Sequence, residues 1–290
     1  MVVGEYRLYH YDPSFPAAVA ATACFGVATG MHFVYFVARR TWYFTPFIIG
    51  GLCETIGYVG RLLNSQETPD WTTGPYIMQT LLLLVAPALF AASIYMILGR
   101  LIQLVDGDSR SVLRGRWITR TFVVGDVVSF LAQAGGGGVL AQADTKDKQD
   151  LGNWIIIAGL AVQIVFFGLF MIISVIFHIR MSNSPTKRSV DLRAPWRRFL
   201  VVLYVVSTLI MIRSVFRVIE YVQGTDGTLQ SKEFWLYVFD GLLMFLVMVV
   251  LLLHHPSQLV TRSRQGKHHG RRKRRRHSGR SQYVEDSYYQ

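Results

Sequence analysis

The stretch PYIMQTLLLLVAPALFAASIYMILGR, residues Pro75 to Arg100, decides the fold. It is apolar for nearly its whole length, Gln79 being the exception before the terminal Arg100. At about 1.5 Å per residue a helix of this length crosses a hydrocarbon core of roughly 30 Å. It reads as a membrane span. Pro75 suits a first helical turn. Pro87 falls mid-span and deprives a backbone carbonyl of its donor, so a bend is expected there, and a neighbouring helix or water must supply the missing hydrogen bond.

Six further apolar runs flank this one, at 17–38, 44–63, 118–143, 152–179, 199–222 and 233–255. Each approaches the roughly 20 residues that a span needs. The expectation is an all-α polytopic membrane protein of seven helices. Residues 1–16 would form an extracellular segment, 17–256 the transmembrane domain and 257–290 a disordered polybasic tail. The whole chain of 290 residues is 51% hydrophobic yet carries a formal charge of +12. That pairing fits a membrane protein with its excess Lys and Arg on one side, and no nucleic-acid partner is expected. The connections after the first, third, fifth and seventh runs hold 23 Lys and Arg, against four (Arg7, Lys146, Lys148, Lys232) on the other side. Cytoplasmic loops retain such residues, so the N-terminus should face out and the C-terminus in. Cys24 and Cys53 lie in apolar runs, where each reads as a small core residue rather than half of a disulfide. No cleavable signal is evident, which leaves targeting to the first span.

The spans also contain charge. Glu54, Arg61, Asp126, Arg213, Arg217, Glu220, Glu233 and Asp240 lie within or at the ends of apolar runs, with Gln79, Gln133 and Gln163. A charge at mid-bilayer costs about 2.5 to 3.5 kcal/mol on insertion scales, so these groups must point inward. Seven residues is close to two helical turns, which places Glu54 with Arg61, Asp126 with Gln133, Arg213 with Glu220 and Glu233 with Asp240 on shared faces. Counted inward from the outer helix ends, Arg61, Gln79, Glu220 and Glu233 come near the outer surface. Arg217 and Asp240 lie about 8 to 10 Å in, Glu54, Gln133, Gln163 and Arg213 near mid-bilayer, and Asp126 deeper. They read either as the lining of a cavity that opens outward, or as interhelical pairs that lock the bundle.

Several function classes lack their chemistry here. Gly135 to Gly138 have no following Lys-Ser/Thr, so they are no phosphate cradle, and close helix packing or a broken backbone is the expectation. The last span has no internal lysine for a retinal Schiff base, only Lys232 at its outer edge. His32, His178, His254 and His255 gather toward the cytoplasmic side without metal-hydrolase spacing. No enzyme and no cofactor is expected. The tail around 262–280, with GRRKRRRHSGR, should attract anionic inner-leaflet lipids.

Five blocks carry a resemblance: CETIGYVGR at 53–61, the 75–100 stretch, FVVGDVVSFLAQAGGGG at 122–138, GLAVQ at 159–163, and RSVFRVIEYVQGTDG with EFWLYVFD across 213–240. In order, and through six of the seven runs, they resemble the motifs of the fungal RTA-like family of aminocholesterol-resistance and lipid-translocating exporter proteins. The resemblance implies a seven-span plasma-membrane protein, or one of the endoplasmic reticulum or vacuole, that exports or flips sphingoid long-chain bases and confers resistance to toxic amphiphiles. Some members of the family are associated with porphyrin uptake instead. The eleven polar residues above fall on the family's motif positions and become candidate ligand-binding residues. A lipid receptor or sensor is the rival, although the DRY and NPxxY patterns of common seven-helix receptors are absent.

Overall fold

A computed structural model describes residues 12–67, 71–142, 145–191, 196–223, 229 and 232–255. The basic tail and most of the N-terminal segment lie outside these residues. Eight helices follow in order: α1 (Phe15–Ala38), α2 (Thr45–Gln66), α3 (Thr73–Leu104), α4 (Gly115–Ala141), α5 (Lys146–Asn183), a short α6 (Lys187–Asp191), α7 (Trp196–Gln223) and α8 (Glu233–Leu253). No strand occurs among the described residues. Pro16 and Pro46, with φ already set for a helix, stand in the first turns of α1 and α2. Both α1 and α3 end on a left-handed residue, Arg40 (φ 51°) and Asp106 (φ 53°). The next amide then turns back on the last turn, Thr41 to the Phe36 carbonyl at 3.1 Å and Gly107 to that of Ile102 at 2.8 Å.

Six helices, α1, α3, α4, α5, α7 and α8, are long and apolar enough to cross a membrane. Of the seven spans expected, α2 is the exception. Its 22 residues suffice in length, but Glu54, Arg61 and Asn64 dilute its apolar content, and all three are buried. The surface confirms the solvent. Val34, Leu131 and Trp154 are more than 60% exposed whereas Arg61 and Arg213 are wholly buried, an inversion that suits hydrocarbon outside and polar groups within. The chain is a multi-pass, all-α membrane protein.

Helices adjacent in sequence pack together, α8 returns against α1 to close the ring, and α3 reaches across to α7. Of the six apolar helices α3 is the most deeply buried, which is why it lacks a polar face. It runs unbroken through Pro87. The proline has no N–H for the Leu83 carbonyl four residues earlier. Arg213 of α7 supplies the bond, its Nη2 donating to that carbonyl at 2.9 Å. The glycine run stays helical within α4. A Cβ on Gly136 would come 2.8 Å from the Gly152 carbonyl oxygen of α5, so close packing holds there, while Gly135, Gly137 and Gly138 face open space. Both cysteines are free, and Cys24 is exposed on α1 rather than in the core.

Candidate functional site

Three helices contribute the same spacing. Glu54, Tyr58 and Arg61 on α2, Arg213, Arg217 and Glu220 on α7, and Glu233, Tyr237 and Asp240 on α8 each occupy positions i, i+4 and i+7, one stripe of a helix. In α8 the stripe passes through a π-helical turn, Tyr237–Leu242, a rare geometry that recurs at functional sites. Within the turn, Gly241 leaves room for Tyr58, whose hydroxyl lies 2.5 Å from where a Cβ would stand.

The stripes meet as a charged seam. Arg61 Nη2 pairs with Glu233 Oε1 at 2.7 Å, and its Nε donates to the Tyr237 hydroxyl at 3.1 Å. Glu233 also accepts the Ser14 amide at 3.0 Å, which ties the start of α1 to the start of α8. Arg213 Nε donates to Asp240 Oδ1 while its Nη2 holds the Leu83 carbonyl. Arg217 Nη1 pairs with Glu220 Oε2 at 2.8 Å. Glu54 is buried in the electrostatic field of Asp240 and Arg213. Gln79 is buried on the α3 face against α2, its backbone nitrogen 3.2 Å from where a Gly60 Cβ would stand. Four carboxylates thus share three arginines. Three of them take an arginine each and Glu54 does not.

The other three candidates fall elsewhere. Gln133 of α4 donates through Nε2 to Ser129 Oγ at 2.7 Å and to Gln163 Oε1 of α5 at 3.2 Å, and Ser129 donates to the Gly159 carbonyl at 2.6 Å. Asp126, three residues before Ser129 on the same face of α4, is buried beside Tyr95 of α3. The expected single lining is therefore divided in the fold, with eight residues in the seam, Gln133 and Gln163 between α4 and α5, and Asp126 between α4 and α3. A cavity of about 270 Å³ opens at the far end of α3, bounded by Gln103, Asp108, Arg114, Gly115, Arg116 and Trp117.

The histidines form separate pairs. His32 Nε2 faces the Met248 carbonyl at 3.0 Å, and since a carbonyl only accepts, that nitrogen carries the proton. His255 lies 6.0 Å from it, ring to ring. His178 sits against Tyr204 and His254 against Arg198. Beyond α8, burial holds the His255 imidazole down at about 4, with His32 and Arg39 adding to the effect. Among the described residues no group of three or more His, Cys, Asp or Glu is placed to hold a metal ion.

A family model described as RTA1 like protein matches residues 47–263. The chain belongs to the RTA1-like family. The matched region contains all eleven candidate residues and leaves out α1. Among RTA1-like relatives, Protein RTA1 of Saccharomyces cerevisiae is 36% identical over 282 residues, covering 88% of this chain and 87% of the relative. Protoporphyrin uptake protein 1 of the same organism is 36% identical, covering 84% and 90%. Its sphingoid long-chain base transporter RSB1 is 27% identical, covering 84% and 72%. No solved structure matches. Reading this RTA1-like sequence for charge passed over Tyr58, Tyr237, Ser129 and Tyr95. The two seam tyrosines carried a signal, because each lies four residues after one candidate and three before the next.

Proposed function

We propose that the protein translocates single-chain cationic amphiphiles of the sphingoid-base type across its membrane, with the α2–α7–α8 seam as the head-group site. The observation that carries this reading is the surplus carboxylate. Glu54 is buried near mid-helix with no arginine of its own, and an ammonium group supplies the missing cation. Asp240 lies near enough to share that ammonium, Gln79 offers an amide to a sphingoid hydroxyl, and the apolar helix faces suit an alkyl chain. Arg61, Arg213, Arg217, Glu220 and Glu233 hold the seam in register. The name of the relative RSB1 supports this class of substrate. The relative named for protoporphyrin uptake points to a tetrapyrrole, whose carboxylates match a carboxylate-rich seam poorly. The charge count of the loops supports an outward N-terminus and a cytoplasmic basic tail on anionic lipids, and the family resemblance implies residence in the plasma membrane.

The test is transbilayer movement of a fluorescent sphingoid base in proteoliposomes, wild type beside Glu54→Gln, with the N-acylated, uncharged analogue as control. A charge-assisted hydrogen bond is worth about 1.5 to 3 kcal/mol, so movement of the base should slow roughly 10- to 100-fold in the variant. The thermal midpoint should hold, because Glu54 anchors no arginine. Equal rates for the base and its uncharged analogue would remove the seam from the account. Saturable binding without movement would make the protein a lipid sensor.

A further inference from the structure

The seam leaves Asp126 without a role. Its carboxylate is buried in α4, and neither oxygen has a hydrogen-bond partner. Each carboxylate of the seam lies in the field of an arginine, but among the described residues no cation faces Asp126. The α3 side presents the Tyr95 phenol, the titratable group that acts on Asp126, although the two do not close a well-formed hydrogen bond. Phe122 of α4 and Phe170 of α5 pack on the Tyr95 ring at 5.5 and 4.6 Å, so the surroundings are aromatic and dry. An ionised carboxylate there would be uncompensated at membrane depth, which is prohibitive, so the group must carry a cation of its own. With two oxygens and one phenol at hand, and no carbonyl cage, that cation is a proton.

We propose that Asp126 is a proton-binding site whose loading and unloading couples amphiphile movement to a proton gradient. The side chain takes one proton from the aqueous phase to form the neutral acid of the closed bundle and returns one when the α4–α5 face is hydrated. Ser129, Gln133 and Gln163, already linked at 2.6 to 3.2 Å to one another or to the Gly159 carbonyl, mark a polar route along that face for water to follow. The coupling rests on the translocation reading, whereas the proton site stands on geometry.

Two readouts separate them. Infrared difference spectra of wild type and Asp126→Asn at neutral pH should show the carbonyl stretch of a protonated carboxylic acid in the wild type and its loss in the variant. Thermal stability should be unchanged, since Asn resembles the neutral acid. In proteoliposomes the ratio of sphingoid-base flux with an imposed pH gradient to flux without one should be several-fold in wild type and fall to one in the variant. Absence of the Asp126-dependent band overturns the proton site. A wild type that moves lipid indifferently to the gradient, or a variant that keeps the wild-type ratio, overturns the coupling alone. A wild type that moves no lipid at all overturns the translocation reading and the coupling with it, and the band still decides whether Asp126 binds a proton.

Discussion

Replacing Pro87 by Ala should matter far more in a protein that lacks Arg213 than in one that has it. In the wild type the Leu83 carbonyl has no helical donor because residue 87 is proline, and it relies on Arg213 Nη2 at 2.9 Å. Substitution of Arg213 by Met has two consequences. It strands Asp240, at a cost of about 3 to 5 kcal/mol for a broken buried pair. It also orphans the Leu83 carbonyl, at about 1 to 3 kcal/mol. Pro87→Ala restores an N–H to that carbonyl and cancels the second cost only. The four proteins of the cycle, unfolded in bicelles with denaturant, should therefore show a coupling of about 1 to 3 kcal/mol, with Pro87→Ala more stabilising in the Arg213→Met background. In the wild-type background its benefit is smaller, because the carbonyl is already satisfied. A coupling within about 0.5 kcal/mol of zero would mean that the guanidinium does not cap the proline gap, and the reasoning would fail.

The glycine run offers an internal contrast. Gly136→Val should lower stability by about 1 to 3 kcal/mol, because its Cβ meets the Gly152 carbonyl oxygen at 2.8 Å, whereas Gly137→Ala, facing open space, should be neutral or stabilising by up to about 1 kcal/mol in the same unfolding assay. Acid should loosen the end of the bundle where His255 packs. With the folded imidazole held at about 4 and the unfolded one at 6.5, the unfolded chain binds the extra proton, so stability is intact above 6.5 and is lost as pH falls toward 4. Thermal midpoints measured across that window should fall less steeply for His255→Gln than for wild type, and parallel slopes would refute the assignment.

What the sequence made legible follows from what periodicity encodes. Hydropathy gave seven helices, since a run of apolar residues needs no partner to be recognised, and α2 shows where that signal thins, in a helix whose buried Glu54, Arg61 and Asn64 dilute its apolar content. Spacing gave the inward stripes, because seven residues return to one face of any helix. Spacing does not say which helix a face meets. Asp126 and Gln133 repeat the interval of Glu233 and Asp240, yet α4 turns its stripe to α5 and α3 while α8 turns its own to α2 and α7. The unsatisfied carbonyl at Pro87 was legible as a debt, but its donor lay on α7, beyond any local pattern. The need for glycine at 241, inside the π-helical turn, was not legible, because it comes from Tyr58 of another helix lying where a side chain would stand.

A closed, ion-paired seam poses an energetic problem for any polar cargo, and its chemistry narrows the solution. Opening the seam without a substitute would strand several charges in a low-dielectric interior, each at a cost of several kcal/mol. An anionic head group would have to displace a carboxylate from its arginine and leave that carboxylate bare. A cation need displace nothing at Glu54, which has no arginine of its own, whereas at Glu233 or Asp240 it would displace an arginine and leave that arginine bare. Along α8 these two carboxylates stand seven residues apart, about 10 Å, and Glu54 of α2 lies within the field of Asp240. An ammonium settling at Glu54, in the field of Asp240, gains a counter-charge without breaking any of these pairs. On that account head-group charge governs passage. Lengthening the alkyl chain of the base should raise its affinity for the bilayer with little effect on selectivity, whereas neutralising the amine should abolish recognition.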